Sequence, residues 1–352
     1  EQCWHRVPGG TAVAALALAR ALLERDDVGL IGVAGRHAEP PAPPYAPPLP
    51  VQQLPLASPW LYETWHRLRW PPLERATGRV DVAHATTLAI PPTRAPLVVT
   101  VHDLAFLHQP DHFTRHGLRF FHRGMALAKR HATLVLCSSQ ATFDDCCANG
   151  FDERRLRLVP LGVDVVPADA ERVAELRRTH GRYVFWSGTI EPRKNLRRLL
   201  EAFERVAERH DEVRLVLAGP QGWNEELGPP GERVTVLGFV PDDELRALYS
   251  AAAVSCYPSL MEGFGLPVLE AMAQGTPVVT SAGTSTAELA EGGAALTVDP
   301  FDVAAIADAI GSILDDAELA ARLAEAGRRR AADRSWARTA DITVAAYAEA
   351  TA

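Results

Sequence analysis

Two glutamates flank a glycine-rich turn in the second half of the sequence. Glu262 precedes Gly263-Phe264-Gly265, and Glu270 follows this turn in what we predict is the first turn of a helix beginning at Pro267. Glycines let backbone N–H groups approach a phosphate closely, and a helix N-terminus favours an anion. Glu270 is suited to accept hydrogen bonds from two vicinal sugar hydroxyls, and Glu262 is suited to hold a second polyol. Phosphate between two hydroxyl-bearing rings is the chemistry of a nucleotide sugar; the alternative is an ordinary helix start with one solvated glutamate.

A second strand–glycine–helix pattern carries positive charge. Gly188 ends an apolar, strand-like run, and Arg193 and Lys194 stand just before a helical pattern that continues through Arg197 and Arg198. Cations at a helix N-terminus are unfavourable by roughly a few tenths of a kcal/mol each unless an anion lies among them. A diphosphate neutralised by Lys194 and Arg193 would remove the conflict. For Arg197 and Arg198 we favour simple exposure to solvent.

The elements around these motifs form two series of alternating strands and helices. Short apolar runs of the kind found in parallel strands buried on both faces occur at 28–34, 80–85, 96–103, 132–139 and 156–164, and again at 183–189, 213–219, 234–240, 253–259 and 276–281. Two successive βα series predict two doubly wound α/β domains with ligands near the carboxyl ends of the strands. The proline-rich stretch 39–50 is excluded from any central strand.

Composition narrows the class of protein. The chain has 352 residues, 47% of them hydrophobic and 23% charged, with a formal net charge of −8. This balance argues against a general nucleic-acid binder. Five cysteines without metal-ligand or disulfide-framework spacing indicate a reducing cytosol. We see no signal peptide and no apolar run long enough to span a bilayer, and we expect that a first strand preceding Glu1 is missing.

The motifs resemble family four of the retaining glycosyltransferases, which have the GT-B fold. The likeness rests on 188–195, on Glu262 and Glu270 around the glycine turn, and on 237–241, 275–279 and Glu288 before Asp299-Pro300. It is weaker in the first half: Pro8-Gly9-Gly10, His102-Asp103 and Ser138-Ser139. The variant at 188–195 is similar to that of bacterial mannosyltransferase-like members.

The resemblance implies two Rossmann-like doubly wound domains that face each other across a cleft. We expect an acceptor-side domain at 1–163, a nucleotide-sugar domain at 164–334, and a last helix at 335–352 that packs back on the first domain.

The resemblance also implies roles for single residues. The expected catalytic groups are His102 near the anomeric carbon and, around the diphosphate, Lys194, Arg193 and Glu262. Glu270 is expected to bind the ribose, and the remaining donor-binding positions are backbone or glycine positions around the diphosphate and the base: Gly10, Gly188, Thr189, Gly238, Phe239, Val240, Gly263, Phe264, Gly265 and Leu266. Thr189 stands where many relatives have arginine, and we expect Arg193 to supply that charge. His102 alone is equally well explained as a loop or core histidine.

Two further segments leave alternatives open. Residues 112–131 contain five Lys/Arg and no acidic residue, with Arg115, Arg119 and Arg123 on one face if helical. This face is suited to an anionic lipid surface, or is simply solvated. The tryptophan-rich segment 59–70 either shapes an acceptor site or packs beneath the proline-rich loop.

Together these patterns predict a retaining glycosyltransferase. It would move a sugar from a nucleotide-diphosphate donor, GDP-mannose in preference to a UDP-sugar, to a hydroxyl of a glycan, lipid-linked or small-molecule acceptor. No Asp-x-Asp occurs in the sequence, so we expect neither a metal nor another cofactor, and we expect a cytoplasmic enzyme, at most peripheral to the membrane. The alternatives are a nucleotide-sugar epimerase and a non-catalytic sugar-nucleotide-binding subunit.

Overall fold

A computed structural model describes residues 1–5, 9–222 and 231–352. The chain divides into two compact units, one formed by Glu1–Leu161 with Trp336–Ala352 and the other by Gly162–Ser335. The predicted boundary at 163/164 therefore lies two residues beyond the observed division. None of the helices in the described residues is long and apolar enough to cross a membrane.

The first unit contains a sheet of parallel strands and a separate strand pair. Its strands are β1 Gly32–Ala34, β2 Val51–Gln53, β3 Ala83–Ala85, β4 Leu97–Val101, β5 Leu134–Cys137 and β6 Leu156–Leu158. Strands β3 to β6 pair in chain order, and β1 pairs with β2. Its helices are α1 Gly9–Leu23, α2 Trp60–Leu68, α3 Glu74–Thr77, α4 Ala105–His108, α5 Arg115–His131, α6 Gln140–Ala148 and, from the end of the chain, α14 Trp336–Thr351.

The second unit has a parallel sheet in the order β9-β8-β7-β10-β11-β12. Its strands are β7 Tyr183–Ser187, β8 Arg214–Ala218, β9 Val234–Gly238, β10 Val254–Tyr257, β11 Val278–Ser281 and β12 Leu296–Val298. The helices are α7 Ala170–His180, α8 Leu196–Arg209, α9 Asp242–Ala251, α10 Leu266–Ala273, α11 Thr286–Ala290, α12 Val303–Asp315 and α13 Ala317–Ala332.

The strand order of the second unit creates a switch point between β7 and β10. The chain runs outward from β7 through β8 and β9, then crosses to the other side of β7 and runs outward through β10, β11 and β12. Helices that follow β7 and β10 therefore diverge, which opens a crevice at the carboxyl ends of these two strands. Strands β7 and β10 are buried along their whole length, as their apolar sequences predict.

The predicted α/β class with Rossmann-like parallel sheets is confirmed, while several element bounds differ. The segment predicted as a strand at 28–34 forms a strand only at Gly32–Ala34, and helix α1 begins at Gly9 instead of Thr11. Two short strands, β2 and β12, had no sequence signal strong enough to predict them. Each has three residues, and their strand geometry comes from pairing with β1 and β11.

Helix α14 belongs to the core of the first unit. Its Ala346 and Ala350 are buried in one cluster with Val98 of β4, Leu134 and Leu136 of β5, and Val159. A helix that starts after residue 335 thus covers one face of the sheet formed by the first part of the chain.

A charge on the buried face of α14 should destabilise this unit. We expect Ala346→Asp to lower the free energy of unfolding by about 3 kcal/mol or more, because a carboxylate would enter an apolar cluster without a partner. The matched control is Ala348→Asp on the exposed face of the same helix, for which we expect a change within about 0.5 kcal/mol. Chemical denaturation of both variants is the measurement, and equal effects would contradict the packing of α14 described above.

Candidate functional site

The sequence-predicted residues of the second unit converge at the switch point. The loop after β7 carries Gly188 through Lys194, and the loop after β10 carries Ser259 through Gly265. The two loops are hydrogen-bonded to each other: the backbone carbonyl of Arg193 accepts a bond from Leu260 N at 2.8 Å, and it lies 2.9 Å from Ser259 Oγ. Asn195 adds a further link, since its Nδ2 donates to the carbonyl of Pro258 at 2.8 Å.

Lys194 and Glu262 form a buried ion pair across these loops. Lys194 Nζ lies 2.6 Å from Glu262 Oε1, and Lys194 is only 7% exposed. Two hydroxyl groups hold the pair: Lys194 Nζ also donates to the hydroxyl of Tyr257 at 2.7 Å, and Glu262 Oε1 accepts from Tyr257 at 3.0 Å and from Ser259 Oγ at 2.6 Å. The ammonium also lies 5.3 Å from the centre of the Tyr257 ring.

Arg193 joins a second carboxylate to the same cluster. Its Nε lies 2.6 Å from Glu191 Oε1, and its Nη1 lies 3.4 Å from Glu262 Oε2. Glu191 is buried, and its other oxygen, Oε2, has no hydrogen-bond partner in the described part of the chain. Two cations and two carboxylates are therefore packed together, and their formal charges cancel.

The electrostatics of Glu262 follow from its cationic neighbours. Burial by itself would raise its pKa, but the charges of Lys194 and Arg193 and the hydrogen bonds from Lys194 and Ser259 outweigh burial and lower it to about 2. Glu262 is thus ionised at any physiological pH. Burial lowers the pKa of Lys194, and Glu262 opposes that shift. The pair is consequently held by mutual attraction in a place where either charge alone would be costly.

Helix α10 begins immediately after the glycine turn. Gly265 has φ +100°, and a Cβ placed there would lie 2.5 Å from Thr286 Cγ2, so both backbone conformation and space require glycine. Gly263 and Phe264 are buried at the helix start, and Leu266 is half-buried as the first helical residue. The predicted strand–turn–helix order and the proline near the helix start are confirmed.

Glu270 lies one residue beyond the first turn of α10 instead of within it as predicted, because the helix starts at Leu266 and not at Pro267. Its side chain accepts a hydrogen bond from the hydroxyl of Tyr249 at 3.3 Å. Burial raises the pKa of Glu270 to about 7, while the bond from Tyr249 acts in the opposite direction and the charge of Asp242 adds to the increase. Glu262 and Glu270 thus occupy opposite electrostatic environments within one motif.

The remaining donor-site candidates lie at neighbouring strand ends. Gly188, with φ +149°, and Thr189 directly follow β7. Gly238 ends β9, and its carbonyl accepts from Gly219 N at 2.7 Å. Phe239 is half exposed just beyond that strand, and Val240 is partly exposed. These positions all belong to the carboxyl edge of the same sheet, where parallel α/β folds bind ligands.

The candidates of the first unit lie on α1 and after β4. Gly10 is the second residue of α1 and is exposed, whereas Pro8 of the same motif lies outside the described residues. His102 Nε2 lies 3.2 Å from the carbonyl of Thr86, which can only accept, so Nε2 carries the proton. Burial lowers the pKa of His102 against the opposing charge of Asp103, which leaves a neutral imidazole whose Nδ1 is an acceptor.

Other polar residues of the motifs have local structural roles. Ser139 caps α6 by accepting from Thr142 N at 3.1 Å, and Asp103 accepts from Ala105 N at 3.0 Å. Arg197 is exposed, as expected, whereas Arg198 donates to Asn195 Oδ1 at 2.9 Å and lies over the ring of Phe301.

Sequence reasoning missed the groups that hold the site together. In the sequence, Tyr257 and Ser187 belong to apolar strand patterns and Glu191 to the 188–195 motif, and no local pattern marks these residues or Tyr249 as part of a site. Their partners lie far away along the chain: 63 residues separate Lys194 from Tyr257, and 62 separate Ser187 from Tyr249. The only local signal was a polar hydroxyl in otherwise apolar strand and helix patterns.

Replacement of Glu262 should destabilise the second unit in a pH-dependent way. Because the folded-state pKa of about 2 lies below the ordinary value of 4.5, ionised Glu262 stabilises the fold above about pH 4.5, and this contribution is lost as the pH falls toward 2. We expect Glu262→Gln, which leaves Lys194 buried without a counter-charge, to cost about 3 kcal/mol at pH 7, and the gap to wild type to narrow below pH 4. Denaturation between pH 3 and 7 is the measurement. The control is Glu201→Gln on the exposed face of α8; a similar loss in both variants would contradict the role of the buried pair.

Comparison with known proteins gives a consistent assignment for both units. Residues 8–166 match the family model described as Glycosyltransferase Family 4, and residues 168–330 match the model described as Glycosyl transferases group 1. The O-antigen chain mannosyltransferase B of Escherichia coli is 32% identical over 76% of this chain and 74% of its own length. The MMP alpha-(1->4)-mannosyltransferase of Mycolicibacterium hassiacum is 34% identical over 64% of this chain, but the match spans only 56% of that relative.

Solved structures share the fold at lower identity. HepE from Anabaena, solved in complex with UDP and glucose, has a TM-score of 0.75 and 21% identity, with 98% of each chain covered. Sucrose-phosphate synthase from Thermosynechococcus elongatus has a TM-score of 0.77 and 22% identity over 97% of this chain and 93% of its own. The two family matches, the 32% identity to the Escherichia coli relative and the Rossmann-like units together show that the chain belongs to glycosyltransferase family four and has the GT-B fold.

Proposed function

We propose that the protein is a retaining glycosyltransferase that takes a sugar from a nucleotide-diphosphate donor and transfers it to a hydroxyl group. The observation that carries this proposal is the buried Lys194–Glu262 pair beside the glycine turn at the β7/β10 switch point. A buried lysine beside a glycine turn and a helix N-terminus is suited to a diphosphate, and a neighbouring carboxylate is suited to a sugar hydroxyl.

The chemistry required of the protein is mainly electrostatic. In the proposed reaction the acceptor hydroxyl attacks the anomeric carbon of the donor sugar on the face from which the diphosphate leaves. A diphosphate oxygen takes the proton of the hydroxyl. Lys194, Arg193 and the N–H groups at the start of α10 would stabilise the negative charge that develops on the leaving group. Because Arg193 lies within the Lys194–Glu262 cluster, it is placed to supply the charge that Thr189 lacks. We propose on this basis that these cations serve in place of a divalent metal ion.

Within the cluster, Glu191 and Glu262 pair with the cations that a diphosphate would need. Arg193 contacts both carboxylates, and Lys194 contacts Glu262. An incoming diphosphate would compete for these partners, and the hydroxyls of the transferred sugar would then satisfy the released carboxylate oxygens. The cluster is thus suited to hold a ligand that brings anionic and hydroxyl groups together.

We favour GDP-mannose as the donor. Two relatives of more than 30% identity are named as mannosyltransferases, and one of them matches three quarters of this chain. A UDP-sugar is the alternative, because the structurally similar HepE was solved with UDP and glucose. The exposed ring of Phe239 at the end of β9 is available to stack on either base.

The acceptor is proposed as a glycan, a lipid-linked intermediate or a small molecule, with peripheral membrane contact through helix α5. Arg115 and Arg119 are exposed on this helix, whereas Arg123 is partly buried and pairs with Glu63 of α2 at 3.4 Å. Trp60 at the start of α2 is 69% exposed. Since α2 and α5 pack against each other, basic and aromatic side chains are combined in one part of the first unit, as suits an anionic lipid surface.

The central test is donor turnover by the purified protein. We expect transfer or slow hydrolysis of GDP-mannose that persists in EDTA, and we expect Lys194→Ala to lower kcat/KM by about 10²–10³-fold through loss of charge stabilisation at the leaving group. Arg205→Ala, an exposed arginine on α8, is the matched control and should behave like wild type.

Three results would contradict the proposal in different ways. Isomerisation of the donor without an acceptor would indicate an epimerase. Tight donor binding without transfer to any acceptor would indicate a binding subunit. Turnover abolished by EDTA and restored by Mg²⁺ would overturn the metal-independent mechanism while leaving the transfer itself in place.

Membrane contact is tested separately by sedimentation with vesicles of phosphatidylglycerol and phosphatidylcholine. We expect the double variant Arg115→Glu/Arg119→Glu to lower the partition coefficient by at least ~10-fold, since each basic residue near an anionic surface contributes ~1 kcal/mol. The control is Arg205→Glu/Arg214→Glu, which changes the net charge equally at exposed positions of the other unit. Equal binding by wild type and both variants would leave this helix as an ordinary solvated surface.

A further inference from the structure

The hydroxyl of Tyr249 lies at the centre of a buried hydrogen-bonded chain that ends on Glu270. It lies 2.5 Å from Ser187 Oγ and donates to Glu270 Oε2 at 3.3 Å. Tyr249 is 1% exposed and Ser187 is 6% exposed, whereas Glu270 is only partly buried. Within the part of the chain that the structure describes, the Glu270 side chain is hydrogen-bonded to Tyr249.

Proton counting fixes the direction of this chain. A tyrosine hydroxyl has one proton to donate, and an ionised carboxylate only accepts. When Glu270 is ionised, Tyr249 therefore donates to Oε2 and must accept from Ser187. Every donor of this chain then points toward Glu270 Oε2, and Oε1 is not used by Tyr249.

The tyrosine ring cannot move to follow the carboxylate. It packs edge-on against Phe185 of β7, with ring centres 4.9 Å apart and planes at 90°. Its backbone carbonyl accepts from buried Thr276 Oγ1 at 2.7 Å. The hydroxyl is thus a fixed point, and Glu270 must adopt the rotamer that reaches it.

We propose that Tyr249 is a positioning residue that fixes Glu270 for recognition of the two vicinal hydroxyls of the donor's ribose. The inference rests on the proposed function and assigns to Tyr249 and Ser187 a part in selecting ribonucleotides. A single carboxylate can accept from both hydroxyls only in one orientation, so the restraint that sets this orientation contributes to discrimination. Loss of the restraint should weaken binding of ribonucleotides more than binding of their deoxy analogues.

The experiment compares the dissociation constants of GDP and 2′-deoxy-GDP, with UDP and 2′-deoxy-UDP in parallel, by titration calorimetry. We expect wild type to favour the ribonucleotide by ~10-fold or more, as for a hydrogen bond to a charged group. Glu270→Gln should remove most of this preference for the ribonucleotide. Tyr249→Phe should reduce it to ~3-fold or less, chiefly by weakening the binding of the ribonucleotide.

The matched control is Tyr183→Phe. Tyr183 is also fully buried in this unit, and its hydroxyl donates to the backbone carbonyl of Leu248 at 2.5 Å. The Tyr183→Phe variant therefore loses a comparable hydrogen bond that does not involve Glu270. We expect it to keep the wild-type ratio of the two dissociation constants. Ser187→Ala, which removes the other end of the chain without altering the tyrosine packing, should give a ratio between those of wild type and Tyr249→Phe.

The outcomes separate the two levels of inference. The positioning role would be overturned if Tyr249→Phe and Ser187→Ala both kept the wild-type preference for the ribonucleotide while Glu270→Gln lost it. The proposed function would then remain intact. An unchanged ratio in Glu270→Gln would overturn the assignment of the ribose to this carboxylate. Wild-type protein that binds neither GDP nor UDP would instead overturn the proposed function, and with it the role of Tyr249.

Discussion

The ion pair between Lys194 and Glu262 is the interaction on which the second unit depends. It joins the loops that follow β7 and β10, and these are the strands between which the sheet reverses its order. Burial of either charge alone would be costly, so each residue holds the other in place. Tyr257, Ser259 and Arg193 contact the pair through hydrogen bonds and a further ion pair. The pair thus clamps the two loops together, and it consists of residues that we propose bind the donor.

The two glutamates of the motif show how one fold places chemically identical side chains in different states. Cations next to Glu262 lower its pKa to about 2, whereas burial without a cation raises the pKa of Glu270 to about 7. The first is a permanent anion in a tight cluster, and the second is a carboxyl group restrained by one tyrosine hydroxyl. This difference agrees with the proposed donor site, in which cations would bind the diphosphate and carboxylates would accept hydrogen bonds from sugar hydroxyls.

Much of this arrangement was predictable from local patterns. Apolar runs identified most strands, and Pro267 marked the start of α10 to within one residue. The short strands β2 and β12 were not predictable, because three residues carry too little pattern and their geometry comes from a neighbouring strand. The capping role of Ser139 was predictable, since a cap contacts residues of its own helix.

The sequence by itself determined which chemical groups are available and on which type of element each one lies, because helix starts, glycine turns and apolar periods are local properties. Only the tertiary structure decided which groups meet. By its sequence alone, Glu262 could have been a solvated loop residue. It forms an ion pair with Lys194, 68 positions earlier, because the strand order brings β7 beside β10. The same holds for Tyr249 and Ser187, whose hydroxyls gain a role only because packing buries them next to each other and leaves them no water to bond instead.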